Sequence, residues 1–340
     1  MNACKTFVGA ALLLPTLAAC TPKFENATTI SDLRLLGVQA DPPEVLIDLA
    51  AVMATGALPE PLPTITLAPL VIDPKGAGRP VSFRVEVCAN QPDQAVQGGN
   101  AIMPRAGQEG DTVSDSPCPA GSMLLSETSV SPAADGTVPF QTSFTPTLPF
   151  LVEAARADPF GIELGLPITL TFIVSAGDEK VVAYKRLLFS RRLAATQVPN
   201  QNPVVTTFFW RAKREDPRQT LDPLNPPAVA LRDKLRVGVA PALAEAYPAR
   251  SYSSSRREFY TEQIPEETLR YNFYATRGLF GPGTVSNDPS PLRTNPTTDL
   301  ETTYEAPDDP AAHGTLVDVF LVVRDERGGT SFARSKLRLE

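Results

Sequence analysis

The sequence predicts an all-β protein, two tandem immunoglobulin-like β-sandwiches with long Pro- and Gly-rich loops. Three observations carry this. Apolar and polar residues alternate with period 2 in many short segments. The 35 prolines in 340 residues punctuate the chain too often for long helices. The alternating segments also recur in similar order in each half, and each half closes on a hairpin whose turn is charged and contains glycine.

Taken in order, residues 30–38 and 44–53 read as opening strands on either side of Asp41-Pro42-Pro43, where proline bars the ladder hydrogen bond. Val81, Phe83, Val85 and Val87 then point one way while Ser82, Arg84 and Glu86 point the other. Residues 89–135 read as a long polar loop insertion, and 150–157 as one or two helical turns. Ile168, Leu170, Phe172 and Val174 line one face of a strand that turns at Gly177-Asp178-Glu179-Lys180 into a second, 181–190. A linker over 194–203 separates the first sandwich (30–193) from the second (204–340). There Leu235, Val237 and Val239 alternate, 243–247 reads as a short helix, and Leu269, Tyr271, Phe273 and Ala275 form the next row. Val317, Val319, Leu321 and Val323 lead through Asp325–Gly329 into a last strand bearing Leu337 and Leu339. The first strand of each closing hairpin is apolar on both faces for part of its length, which suits a central strand.

Residues 1–19 have the parts of an export signal: Lys5, an apolar stretch from Phe7 to Leu17, and small residues before a cleavage point. The stretch is shorter than the roughly 20 residues that a membrane-spanning helix needs. Its ending, Leu17-Ala18-Ala19-Cys20, resembles the lipobox of bacterial lipoproteins. The resemblance implies an acylated Cys20 as the first mature residue, carrying palmitate and related chains, followed by a polar tether over 20–29. Several acyl chains hold a protein stably on a bilayer. Thr21 stands where an aspartate often marks inner-membrane retention, so the expected address is the outer membrane, lipid-anchored, with the side unspecified.

Removing the leader takes away Lys5 and no acid, leaving 30 basic and 38 acidic residues and a net charge of −8. That balance argues against nucleic acid as a partner. Of the four cysteines, Cys4 is cleaved away and Cys20 acylated, so Cys88 and Cys118 remain as an even pair in an oxidising compartment. A disulfide is the leading reading, worth roughly 3–4 kcal/mol through loop closure. Two free thiols or a metal pair are the alternative, with no His or third Cys nearby.

The segment Ile30-Ser-Asp-Leu-Arg-Leu-Leu-Gly-Val-Gln-Ala-Asp-Pro-Pro-Glu-Val45 resembles the opening of lipoproteins numerous in myxobacteria and related Gram-negative bacteria. Tyr274-Ala-Thr-Arg-Gly-Leu-Phe280, Tyr304-Glu-Ala-Pro307 and Val322-Val-Arg-Asp-Glu-Arg-Gly-Gly329 are similar to bacterial immunoglobulin-like and PKD-like domains. These motifs imply a fold and carry no catalytic residues to transfer.

Chemistry-bearing patterns are sparse. His313 is the sole histidine, in a loop context, and no Gly-x-Ser-x-Gly elbow accompanies it. Neither a phosphate-binding Gly-x-x-x-x-Gly-Lys loop nor a Gly-x-Gly-x-x-Gly turn occurs. A glycosidase needs only two carboxylates, and the acids Glu153, Glu163, Glu245, Glu258, Glu266 and Glu267 are scattered singly. No cofactor is expected. Calcium is a minor alternative in the second domain, through Asp308, Asp309, Asp318 and Asp325, without EF-hand spacing.

Aromatics give the one binding hint. Phe208, Phe209 and Trp210 are consecutive and cannot all face one core, and Tyr274 follows Phe273 on a strand. Trp210, Phe209 and Tyr274 are therefore the candidate contacts for a sugar or a partner protein. The bland alternative makes Trp210 a core tryptophan. Together these readings describe a non-enzymatic cell-envelope lipoprotein that binds or scaffolds an envelope protein. A glycan- or peptidoglycan-binding lipoprotein and an unrecognised envelope hydrolase are the rivals.

Overall fold

The computed structural model describes residues 27–58, 60–76, 78–88, 122–194, 196–287 and 300–340. It is an all-β, multi-sheet, sandwich-like fold. In chain order the first half contains β1 (Arg34–Asp41), β2 (Glu44–Leu46), α1 (Leu49–Thr55), β3 (Ile65–Ile72), β4 (Val81–Cys88) and β5 (Ser122–Val130). It continues with β6 (Thr137–Val138), β7 (Thr142–Phe144), α2 (Leu148–Ala157), α3 (Gly161–Leu164), β8 (Leu166–Ala176) and β9 (Glu179–Ser190). One sheet has the order β1-β3-β6 with β7 also on β3; the other runs β2-β9-β8-β4-β5. The alternation in β4 and β8 buries Phe83, Val85, Leu170 and Phe172 between them, together with Phe144 and Phe189, all at 1 % exposure or less.

The second half contains β10 (Phe208–Arg211), β11 (Gln219–Thr220), β12 (Ala228–Val229), β13 (Lys234–Val239), β14 (Tyr247–Ser253) and β15 (Glu258–Ile264). Then follow β16 (Arg270–Ala275), β17 (Leu279–Gly281), β18 (Thr284–Ser286), β19 (Glu301–Glu305), β20 (Leu316–Arg324) and β21 (Thr330–Leu339). Its sheets are β11-β10-β13-β19-β17 and β12-β21-β20-β16-β18, with β14–β15 as a separate hairpin. Tyr271, Phe273, Val319, Leu321 and Tyr304 fill its core. The Tyr271 hydroxyl accepts from Ala242 N at 3.0 Å and Tyr304 donates to Arg277 O at 3.0 Å, so neither buried phenol is left unsatisfied.

β20 is apolar on both faces because it serves two purposes. Val319, Leu321 and Val323 point into the second core, while Phe320 and Val322 join Ile30, Leu36 and Ile72 in a third cluster between the halves. Leu70, Tyr274 and Phe332 pack against that cluster, and Arg324 Nη2 donates to Leu36 O at 2.5 Å. Gly37 sits at the closest approach: a Cβ there would lie 2.9 Å from the Phe332 ring.

The structure departs from the sequence reading in four places. The strand expected over 44–53 stops at Leu46 and gives way to α1, because Asp48 caps the helix by accepting from Ala51 N and Gly56 ends it at φ 67°. The expected loop 89–135 contains β5, which among the described residues is an edge strand paired with β4 alone, and whose largely solvated faces blur its alternation. Residues 243–247 form no helix; the chain there is irregular until β14 begins at Tyr247. The tether expected over 20–29 is docked at its end. Ala275 N donates to Thr28 O at 2.9 Å, Ile30 N donates to Ala275 O at 2.8 Å, and Phe280 N donates to Thr28 Oγ1 at 2.9 Å.

Candidate functional site

Three clusters concentrate charge or exposed aromatic surface. The first lies on the outer face of the β11-β10-β13-β19-β17 sheet. Strand register places Phe209 opposite Gly238, Arg211 opposite Arg236, and Gly238 opposite Glu301. Side chains of directly paired residues share a face, so these groups stand together. Arg211 Nε and Nη2 donate to Glu301 Oε2 at 3.0 and 2.6 Å, and Arg236 Nε donates to the same oxygen at 3.0 Å. Arg218 Nε reaches Oε1 at 3.1 Å. Burial pushes the Glu301 carboxyl up, but the guanidiniums of Arg236 and Arg211 outweigh it and hold the group below its ordinary range. Three guanidiniums thus converge on one carboxylate.

The second cluster lies at the seam between the halves, around the 325–329 turn. Arg327 Nη2 donates to Glu245 Oε2 at 2.5 Å, Nε and Nη2 approach Glu267 Oε2 at 3.4 Å, and Nη1 approaches Glu44 Oε2 at 3.5 Å. The guanidinium also lies 4.4 Å from the Tyr247 ring centre. Asp325 accepts from Arg327 N, Gly329 N and Asn200 Nδ2 at 2.9, 2.7 and 3.0 Å. Asn200 N donates to Glu44 at 2.7 Å. Lys185 of β9 reaches across to Gly328 O and Thr330 Oγ1. Four carboxylates thus meet two cations. Burial, then the neighbouring Asp325, raises Glu267 to about 7, and burial raises Asp325.

The third cluster is the hairpin. One face of β14–β15 lies on α3, where Phe160, Tyr252 and Phe259 meet with ring centres 5.0 to 6.1 Å apart. Glu163 of α3 pairs with Arg250 at 3.5 Å and Arg191 at 3.4 Å. Phe160 is 50 % exposed and Tyr252 40 %, while Tyr260, at 41 %, follows Phe259 and so lies on the other face of the hairpin. This is the exposed aromatic surface that the sequence reading sought elsewhere. A polar alternation, Tyr-Pro-Ala-Arg-Ser-Tyr-Ser before a Ser/Arg turn, was its only sequence signal.

The residues singled out by sequence fall as follows. Phe209 is buried under Arg218, whose guanidinium lies 4.3 Å from the ring centre. Trp210 packs partly buried against the second core, and Tyr274 is half-buried against the cluster between the halves. Cys88 is disulfide-bonded; Cys20 and Cys118 lie outside the described residues. His313 is exposed after the 3-10 turn Pro310–Ala312. Glu245 and Glu267 are brought together on Arg327, while Glu258 pairs with Arg256. Of the aspartates weighed for calcium, Asp308, Asp309 and Asp318 lie at one end of β20 and Asp325 at the other. Asp318 is held by Arg334 at 2.7 and 3.0 Å. Among the described residues no group of three or more His, Cys, Asp or Glu side chains is placed to hold a metal ion, and no helix is long and apolar enough to cross a membrane.

No family model and no curated protein matches the chain. Among solved structures, the adhesin InvE of Yersinia pseudotuberculosis is similar at 9 % identity and a TM-score of 0.18. The match covers 88 % of this chain and 58 % of that one. This chain thus spans little more than half of that protein, and a likeness this weak carries no argument.

Proposed function

We propose that this chain is a non-enzymatic cell-envelope lipoprotein, anchored through acylated Cys20 in the outer membrane, that binds or scaffolds an envelope protein through the β14–β15 hairpin. The observation that carries this reading is the exposed aromatic pair Phe160 and Tyr252, packed with Phe259 where the hairpin meets α3. Aromatic side chains with a wet polar end are favoured at protein interfaces. The position suits presentation. Thr28 and Thr29, the end of the tether, dock beside Ala275, whereas the base of the hairpin touches the 325–329 turn through Tyr247 and Glu326 at 3.2 Å. Those points mark opposite ends of β16, whose Arg270 pairs with Arg324 next to that turn. About 17 Å of strand therefore separates tether from hairpin base.

The test is cross-linking in native envelopes with the full chain. A protein captured by the wild type, lost with Phe160→Ser and Tyr252→Ser, and kept by Arg84→Gln on a remote face supports the reading. Unchanged capture by the hairpin variants overturns it. Mass spectrometry of the mature N-terminus checks the anchor: an unmodified Cys20, or an intact leader on cytosolic protein, refutes it.

A further inference from the structure

We infer that the free edge of β15 takes up an extended peptide segment as an added strand, one whose side chains alternate basic and apolar. The inference rests on the hairpin reading above and names the chemistry of the partner.

The edge comes from the topology. Among the described residues β15 pairs with β14 alone, and all seven of its residues are in register without a bulge. α3 packs against β14, which leaves β15 as the outer strand. Every second residue of an antiparallel strand turns its N–H and C=O away from its partner. β15 therefore presents about 23 Å of strand with such groups open to a newcomer. Natural edges are blunted by proline, a bulge or brevity. The run Glu-Phe-Tyr-Thr-Glu-Gln-Ile over 258–264 has none of these. An edge of this kind is the template on which strand addition works.

Charge decides which strand fits. Glu258, Tyr260 and Glu262 are exposed and share the face turned away from Phe160, beside Ala249, Ser251 and Ser253 of β14. That face carries two acids and no cation of either strand. Glu262 accepts from Ser251 Oγ at 2.6 Å, which brings no charge. Glu258 meets Arg256 of the turn at 3.7 Å with both side chains more than half exposed, a pair that solvent screens. Arg250, on the opposite face, is held by Glu163 at 3.5 Å.

A second copy of β15 fits poorly. Centred on Thr261, antiparallel pairing stands Glu262 diagonal to both Glu258 and Glu262 of the other copy. Centred on Tyr260, it stands Glu258 directly opposite Glu262, and like charges so placed are unfavourable. A strand with lysine or arginine at alternate positions meets both acids instead, and its side-chain stems lie along Tyr260. Its other face extends the row Phe259, Thr261 and Gln263 beside the exposed rings of Phe160 and Tyr252, where apolar residues suit. Main-chain bonds then supply affinity, and the alternate side chains supply specificity.

The test offers the full chain an acetylated, amidated peptide of alternating lysine and valine, with binding read by calorimetry and its place by hydrogen exchange. Expected is binding that slows amide exchange within 258–264 about tenfold and is lost when the peptide is N-methylated throughout at unchanged charge. Glu262→Lys should weaken it about tenfold and bind a glutamate–valine peptide better than the wild type does. Glu262→Gln, which keeps the size of the side chain, should weaken it less and decides the matter if the reversed charge disturbs the hairpin. The inference is overturned if the lysine–valine peptide does not bind, if the N-methylated peptide binds as well, or if protection falls outside the hairpin. Hairpin-dependent capture without peptide binding would remove this inference and leave the scaffold reading standing; peptide binding without capture would do the reverse.

Discussion

The two charged clusters of this molecule are near mirror images with different uses. Around Arg327, four carboxylates surround two cations, nearly everything is buried, and the groups come from both halves of the chain. Around Glu301, three arginines surround one carboxylate, one side is partly exposed, and all groups come from one sheet and its β10–β11 connection. The acid-rich cluster spans the seam and so fixes how the halves meet; the arginine-rich cluster lies on one sheet face. Sign and exposure together separate the two. Burial raises Glu267 and Asp325 in the first and arginine contact lowers Glu301 in the second, so these groups respond to pH in opposite directions.

The strongest way to break the contrast is Arg327→Ala. It leaves Glu44, Glu245 and Glu267 facing one another with their cation gone, and removing one partner of a buried ionic group costs about 3–5 kcal/mol. Urea unfolding at neutral pH measures it, and a loss below about 1 kcal/mol would mean that water already screens the seam. The pH response is next. Glu267 rises from 4.5 to about 7 on folding, so the folded state favours its proton. Its contribution is complete below pH about 4.5 and is lost as pH rises toward 7. At about 1.4 kcal/mol per tenfold change in proton affinity this amounts to about 3 kcal/mol. Glu267→Gln should flatten that slope, and an unchanged slope assigns the effect to another group. Glu301 works the other way: held low in the fold, it contributes above its ordinary range and loses that contribution as pH falls below about 4.5.

How much of this could be read in the sequence depends on the range of the signal. Tyr271–Phe273–Ala275 and Val317–Val323 were legible because burial imposes period 2 on neighbouring residues. Phe320 and Val322 could be read as apolar, but what covers them is β1, nearly three hundred residues earlier. α1 was missed because its capping residues, Asp48 and Gly56, bracket an alanine-rich stretch too short for a clear period. β14–β15 is hard to read because both of its faces are polar or half-exposed, so its alternation carries no apolar row. The clusters were illegible for a different reason. Glu301 meets Arg211 and Arg218 across 90 and 83 residues, and Glu44 meets Arg327 across 283. In the sequence Glu245 and Glu267 are only scattered acids, since nothing local records that the 325–329 turn brings an arginine between them.

The seam can also be probed without touching charge. Gly37→Val would place methyl groups against Phe332, Val322 and Arg324, and overpacking of this kind costs about 1–3 kcal/mol. A loss of that size in urea unfolding is expected, with Glu267 keeping its pH response if the seam yields locally.

The smallest expected effect sharpens the contrast most. Arg218 is half-exposed and shares Glu301 with two better-buried arginines, so Arg218→Gln removes an ion pair of the kind worth about 0–1 kcal/mol. Relief of repulsion among three converging guanidiniums offsets even that, and thermal unfolding should barely move. Were Arg218→Gln instead to destabilise the chain as Arg327→Ala does, the arginine cluster would be a second internal brace, and the difference between the two clusters would lie in sign alone.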